Sequence, residues 1–188
     1  MPNTNVLPAF MVENWPFWLV SAILIFAAVI DGWKLKVPNW ITFPLIVGGW
    51  VYSTAYFGWE GLGWSVLGTV VGLALLLPAY SIGGMGAGDV KLLAGVGAWV
   101  GSLNTLYAFC VSAIIGGVIA ILMILWNRQW RRHLKQFLCI TNEILEIRDP
   151  NALSAIAAER KSAMLLLPYG IPIAIGTIAY FYWSGMLL

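Results

Sequence analysis

Residues 81–91 read SIGGMGAGDVK, four glycines and an aspartate lodged between two apolar runs. The run before them, LGTVVGLALLLPAY at 67–80, carries no charge, and the run after them, VKLLAGVGAWV at 90–100, carries only Lys91. The helices of a soluble hairpin keep a polar face. These runs have none, and a helix that is apolar all round is either deep core or a membrane span. The glycine stretch is then a break between two spans, and Asp89 stands where the second begins.

Composition extends this reading to the whole chain. Of the 188 residues 61% are apolar and 10% charged, against about 25% charged in a typical soluble domain. Mean hydropathy is +0.85, and there are eleven tryptophans. The expected fold is an all-α, polytopic membrane helix bundle of about six transmembrane helices, forming one domain over 1–188. Net charge is only +2, so the placement of charge says more than its total, and no nucleic-acid partner is expected. Cys110 lies in an apolar run and Cys139 in a polar loop, with no CxxC spacing. They read as a buried small hydrophobe and an incidental thiol. No Lys or Arg precedes the first apolar run, so that run is expected to persist as a helix and not to be removed as a secretory signal.

Residues 1–14 read as a short exposed arm. The expected spans are 16–30, 40–57, 62–80, 90–100, 106–126 and 162–188, separated by breaks at 32–37, 58–63, 81–91, 101–104 and 127–161. Trp15 and Trp18 stand where an interfacial aromatic belt would put them. Proline is tolerated in the first turn of a helix, so Pro38 and Asn39 can open the second span. Pro168 and Pro172 are expected to delay or kink the start of the last one. The 127–161 stretch holds seven of the ten Lys and Arg residues together with His133. Apolar residues recur within it at near-helical spacing, as in an amphipathic helix lying on the membrane surface. With six spans the breaks at 32–37, 81–91 and 127–161 share one side, and they contain all ten Lys and Arg. The positive-inside rule makes that side cytoplasmic and puts both termini outside. Asp31, which ends the first apolar run, and Asp89 then lie at the same cytoplasmic edge.

Each acid has a plain structural explanation. Asp89 fits an N-cap, accepting from the free N–H groups of the following helix, and Asp31 fits a solvated helix end. Ionisable residues at or within spans are costly, however, and tend to mark function. Gly86 and Gly88, without side chains, allow a backbone to pass close by or to adopt positive φ. Two carboxylates held together cannot both ionise cheaply, so the pair holds one proton near neutral pH. Its ionised member can take a proton from water while the other polarises a carbonyl. Lys91 reads as a snorkelling anchor at the interface. Gly72, Gly116, Gly117 and Gly176 read as points of close helix packing.

GMGAGDVKLLA, with Gly86, Gly88 and Asp89, resembles the GxGD signature of membrane aspartyl proteases, and its surroundings resemble those of the type IV prepilin peptidases. DGWKLKVPNWIT resembles the family's other motif, with Asp31, a basic residue at Lys34 or Lys36, then Pro38 and Asn39. LPYGIPIAIG, with Pro168, Tyr169 and Gly170, is similar to the family's final span. The resemblance implies a multi-pass endopeptidase of the cell inner membrane that removes a short basic leader from prepilin-like proteins at the cytoplasmic face. Asp31 and Asp89 would be its catalytic pair and Gly86, Gly88, Pro38 and Asn39 its motif loop. It also implies no cofactor, no metal, and partners in pilus or secretion machinery. The chain carries no paired CxxC motifs of the kind found in the larger bifunctional members. It therefore looks like the short, peptidase-only type of tight-adherence (Flp) pilus systems. A small proton-coupled transporter and a non-catalytic subunit of a secretion or pilus assembly are the alternatives. Against a transporter, both acids sit near one edge and not at mid-membrane.

Overall fold

The computed structural model describes residues 14–81, 84–126 and 168–187. The expectations for the terminal arm, for the 127–161 loop with its amphipathic helix, His133 and Cys139, and for 162–167 lie outside the described residues. Among the described residues four helices follow one another: α1 (Trp15–Lys34), α2 (Asn39–Ser81), α3 (Ala87–Trp126) and α4 (Gly170–Trp183). The first three are long and apolar enough to cross a membrane, and α4 is a shorter apolar helix. Large apolar side chains such as Ile25, Phe26, Val29, Val51, Ile114, Ile121 and Leu122 point outward. A soluble monomer would not leave so much apolar surface in water, and lipid accounts for it.

Two of the helices double back. Gly58 has φ 64° and ψ −152°, and Gly101 has φ 76° and ψ 178°. Both conformations lie in a region essentially reserved for glycine. Trp50 and Thr69 are nineteen residues apart, yet the indole N–H donates to the threonine hydroxyl at 3.0 Å. In a straight helix they would stand about 28 Å apart. α2 is therefore a hairpin folded at Gly58. α3 folds likewise at Gly101, since a Cβ on Gly97 would lie 3.2 Å from the Thr105 hydroxyl, where a straight helix would separate the two residues by about 12 Å. The expected breaks at 58–63 and 101–104 thus contract to one glycine each. A single residue of unusual φ redirects the chain, and helix resumes at once.

The arms of these hairpins pack backbone to backbone. A Cβ on Gly72 would lie 2.7–2.9 Å from backbone atoms of Leu93 and Ala94, and one on Gly49 would lie 2.6 Å from the Ala98 Cβ. Gly68 and Gly97 face each other so closely that either Cβ would strike the other's carbonyl. In lipid, where apolar burial drives little association, small residues that let backbones touch supply the packing. Of the four glycines expected to pack, Gly72 does so, a Cβ on Gly116 would lie 3.3 Å from the Pro172 Cβ, and one on Gly176 would strike Ser112. Among the described residues nothing lies within 4 Å of a Cβ built on Gly117, so the expected packing contact is not found there. Cys110 is also exposed, because it falls on the outward stripe of its helix and not on the buried one. Val20, Leu24, Leu45, Leu92, Leu93, Val96 and Phe181 form the centre of the core, drawn from all four helices.

Candidate active site

The glycine stretch ends as a helix start. Gly86 immediately precedes α3, and Asp89 is the third residue of its first turn. The Asp89 Oδ2 reaches back to accept the Gly86 N–H at 3.2 Å, while the Asp89 N–H donates to the Gly86 carbonyl at 3.2 Å. This is the returning arm of a capping box and not an N-cap, since the side chain satisfies the N–H that precedes the helix. Neither Gly86 nor Gly88 has positive φ. Their reason is space: a Cβ on Gly88 would lie 2.5 Å from the Val37 carbonyl oxygen, and one on Gly86 would lie 3.2 Å from the Asp89 Oδ2. The start of α3 therefore lies directly on residue 37, just ahead of Pro38 and Asn39.

Asn39 opens α2, and its Oδ1 accepts a hydrogen bond from the Lys91 ammonium at 3.0 Å. That ammonium also stands 4.9 Å over the Phe43 ring. The interface-anchor reading of Lys91 thus gives way to a cross-link between α2 and α3, with a cation–π contact beside it. Around these residues is a cavity of about 430 Å³, lined among others by Lys36, Pro38, Asn39, Tyr80, Gly88 and Asp89. Gly86 lines it too. The structure therefore gathers five of the six expected site residues around one cavity.

Asp31, the sixth, is not part of that lining. It lies inside the last turn of α1, which runs on to Lys34. The turn closes through Leu35, a left-handed residue at φ 51° whose N–H donates to the Asp31 carbonyl at 2.7 Å. The Asp31 side chain is 2% exposed, and its Oδ2 accepts the Gly170 N–H at 2.8 Å. Gly170 is the first residue of α4, so its N–H is one of the donors a helix start leaves without an intrahelical partner. Pro172 sits in the same turn, where its missing N–H costs nothing. A Cβ at residue 170 would lie 2.9 Å from the Asp31 Oδ2 and 3.0 Å from its Cβ, so only glycine fits.

Tyr169 lies in the turn ahead of α4 and packs half-buried against the core. The residue after it in the same turn, Gly170, is the one that engages an acid, through its hydrogen bond to Asp31. In the sequence Tyr169 and Gly170 stand out only as features of a final span, with no role attached to either. The legible signal is Gly170 itself, a glycine at the first position of a helix, between Tyr169 and Ile171-Pro172. Among the described residues no three His, Cys, Asp or Glu side chains cluster.

Comparison with known proteins gives this geometry a context. The model of the type IV leader peptidase family matches residues 18–121, more than half of the chain and inclusive of Asp31 and Asp89. A prepilin leader peptidase/N-methyltransferase of Aeromonas salmonicida is 32% identical over 114 residues, which is 57% of this chain and 39% of that protein. The protein of the same name from Neisseria gonorrhoeae is 38% identical over 112 residues, 56% of this chain and 39% of that protein. The chain thus spans about two fifths of the length of these relatives. No solved structure matches. With more than half of its length matching the family model, the chain belongs to the type IV leader peptidase family.

Proposed function

We propose that this protein is a membrane aspartyl endopeptidase of the cell inner membrane. It cleaves the short basic leader of a type IV prepilin-like protein at the cytoplasmic face, with Asp31 and Asp89 as the acids that activate water. The observation that supports this reading is the short link between the acids: Leu35, which lines the cavity beside Asp89, donates its N–H to the Asp31 carbonyl at 2.7 Å. The cavity beside Asp89 is lined by glycine backbone at Gly86 and Gly88, where an extended peptide can lie close.

The chemistry follows from an acid pair sharing one proton. The ionised carboxylate takes a proton from water as its oxygen attacks the scissile carbonyl, and the protonated carboxyl gives its proton to the carbonyl oxygen. As the tetrahedral diol collapses, the proton taken from water passes to the departing amide nitrogen, the other carboxylate takes a proton back from a diol hydroxyl as the carbonyl re-forms, and the C–N bond breaks. Titration belongs to the pair and not to either residue.

Six crossings by a single peptidase domain, with both termini outside, complete the proposal. In their support, the hairpins at Gly58 and Gly101 each divide a long helix into two arms. A prepilin of a tight-adherence (Flp) system is the expected substrate, and the pilus or secretion machinery around it supplies the expected partners. The test uses purified protein in detergent or lipid with a synthetic prepilin-like peptide. Wild type is expected to release the leader, and Asp31→Asn or Asp89→Asn to lower the rate by about 10²–10⁴-fold or more. Both variants cutting at the wild-type rate would remove the two-acid mechanism.

A further inference from the structure

The two walls of the cavity beside Asp89 are helix openings, α2 from Asn39 on one side and Gly86 to Lys91 at the start of α3 on the other. At one level backbone rests on backbone: a Cβ on Gly88 would lie 2.5 Å from the Val37 carbonyl oxygen and 3.1 Å from the Val37 nitrogen. Three residues further along α3 a side-chain link takes over, the Lys91 ammonium donating to the Asn39 Oδ1 at 3.0 Å. Phe43, one turn past Asn39, carries the same ammonium 4.9 Å over its ring. Residues four apart share a helix face, so α2 grips Lys91 at two points. Apolar contact has no direction, whereas a donor and its acceptor fix distance and angle. Lys91 is half-buried, and Asp89, two residues before it in the same turn, is 5% exposed with its Oδ2 on the Gly86 N–H. The acid thus rides on the turn that the link holds.

Resting on the peptidase reading, we infer that Lys91 and Asn39 are positioning residues: their hydrogen bond latches the opening of α3 to that of α2 and so sets where Asp89 stands against a peptide lying in the cavity. Lys91 acts through Asp89 and Asn39 acts through Lys91, which makes the two residues one unit. Members of one unit lose their effect together, so removing the second after the first costs little more. The split between the kinetic constants follows too. A displaced acid slows the chemical step, whereas a lost contact with bound peptide weakens binding.

The experiment measures kcat and KM of peptide cleavage for wild type, Lys91→Met, Asn39→Ala and the double variant, with Asp89→Asn as the blank and thermal unfolding of each purified protein. Lys91→Met keeps an apolar stem against Phe43 and loses the ammonium. Each single variant is expected to lower kcat about tenfold or more, toward the roughly 100-fold of a 1 Å misplacement, with KM within about threefold of wild type. The double variant is expected within about twofold of the slower single. Losses that multiply in the double variant overturn the inference, as does a rise in KM with kcat unchanged. A slow Lys91→Met beside an Asn39→Ala of wild-type kcat assigns the effect to the charge of the ammonium and overturns it equally. Should Lys91→Met fail to fold, Asn39→Ala alone decides: wild-type kcat overturns the inference, and a fall of about tenfold or more at an unchanged melting temperature upholds it. Absence of cleavage by wild type defeats the peptidase reading itself and this inference with it, a result distinct from an active wild type with indifferent variants.

Discussion

The backbone contact between α2 and α3 can be tested quantitatively with alanine at Gly72 and Gly117. At Gly72 the new methyl would stand 2.7 Å from the Leu93 carbonyl oxygen, 2.8 Å from the Ala94 Cα and 2.9 Å from its nitrogen. Ordinary contact for such a carbon begins near 3.4 Å, so the arms must part by about 0.6 Å, and backbone offers no rotamer to relieve them. Overpacking of this kind costs about 1–3 kcal/mol. Gly117 is helical as well, but no described residue comes within 4 Å of a Cβ built there. Alanine there gains only the helix-propensity difference of roughly 1 kcal/mol. Because both variants gain that difference, the gap between them isolates packing. Thermal unfolding in detergent, followed by the fluorescence of the eleven tryptophans, is the assay. At about 2–4 °C per kcal/mol for a chain of this size, Gly72→Ala should melt about 2–12 °C below Gly117→Ala, with Gly117→Ala at or slightly above wild type. Equal melting temperatures for the two variants would refute the close approach of residue 72 to residues 93–94.

Other consequences follow from the same geometry. Gly101→Ala meets no neighbour within 4 Å but must hold φ 76°. It is expected to lose about 1–3 kcal/mol through backbone strain alone, and a melting temperature matching Gly117→Ala would argue against a reversal at that residue. Trp50→Phe deletes the 3.0 Å bond to Thr69 that ties the two arms of α2. A loss of about 1 kcal/mol is expected from the thermal midpoint, and a midpoint unchanged from wild type would sink the bond. Cleavage of the prepilin-like peptide is expected to persist in EDTA, because the proposed chemistry rests on two carboxylates; inhibition that added zinc reverses would count against it.

Much of the site was legible from residue type and spacing. Gly86, Gly88 and Asp89 lie where the sequence placed a break, and Pro38 and Asn39 open the helix that faces them. The reason is local: glycines between charge-free runs end one helix and begin another, and lipid admits few polar residues that do not serve a purpose. Other parts were misread for equally local reasons. Asp89 looked like an N-cap because caps and capping-box partners use the same acids, and only the direction of the Gly86 N–H separates them. Lys91 looked like an interface anchor because its partner Asn39 lies 52 residues away.

The sequence by itself determined that this chain is helical and belongs in a bilayer, where its helices break, and which acids were worth attention, because hydropathy and glycine placement act over a few neighbouring residues. The tertiary structure alone decided that Gly68 meets Gly97, that Gly117 meets none of the other described residues, and that a main-chain N–H from Gly170 reaches Asp31 across 139 positions. A backbone donor is common to nearly every residue and leaves no trace in the letters. Its partner is chosen only when two distant helix ends are brought together by the packing between them.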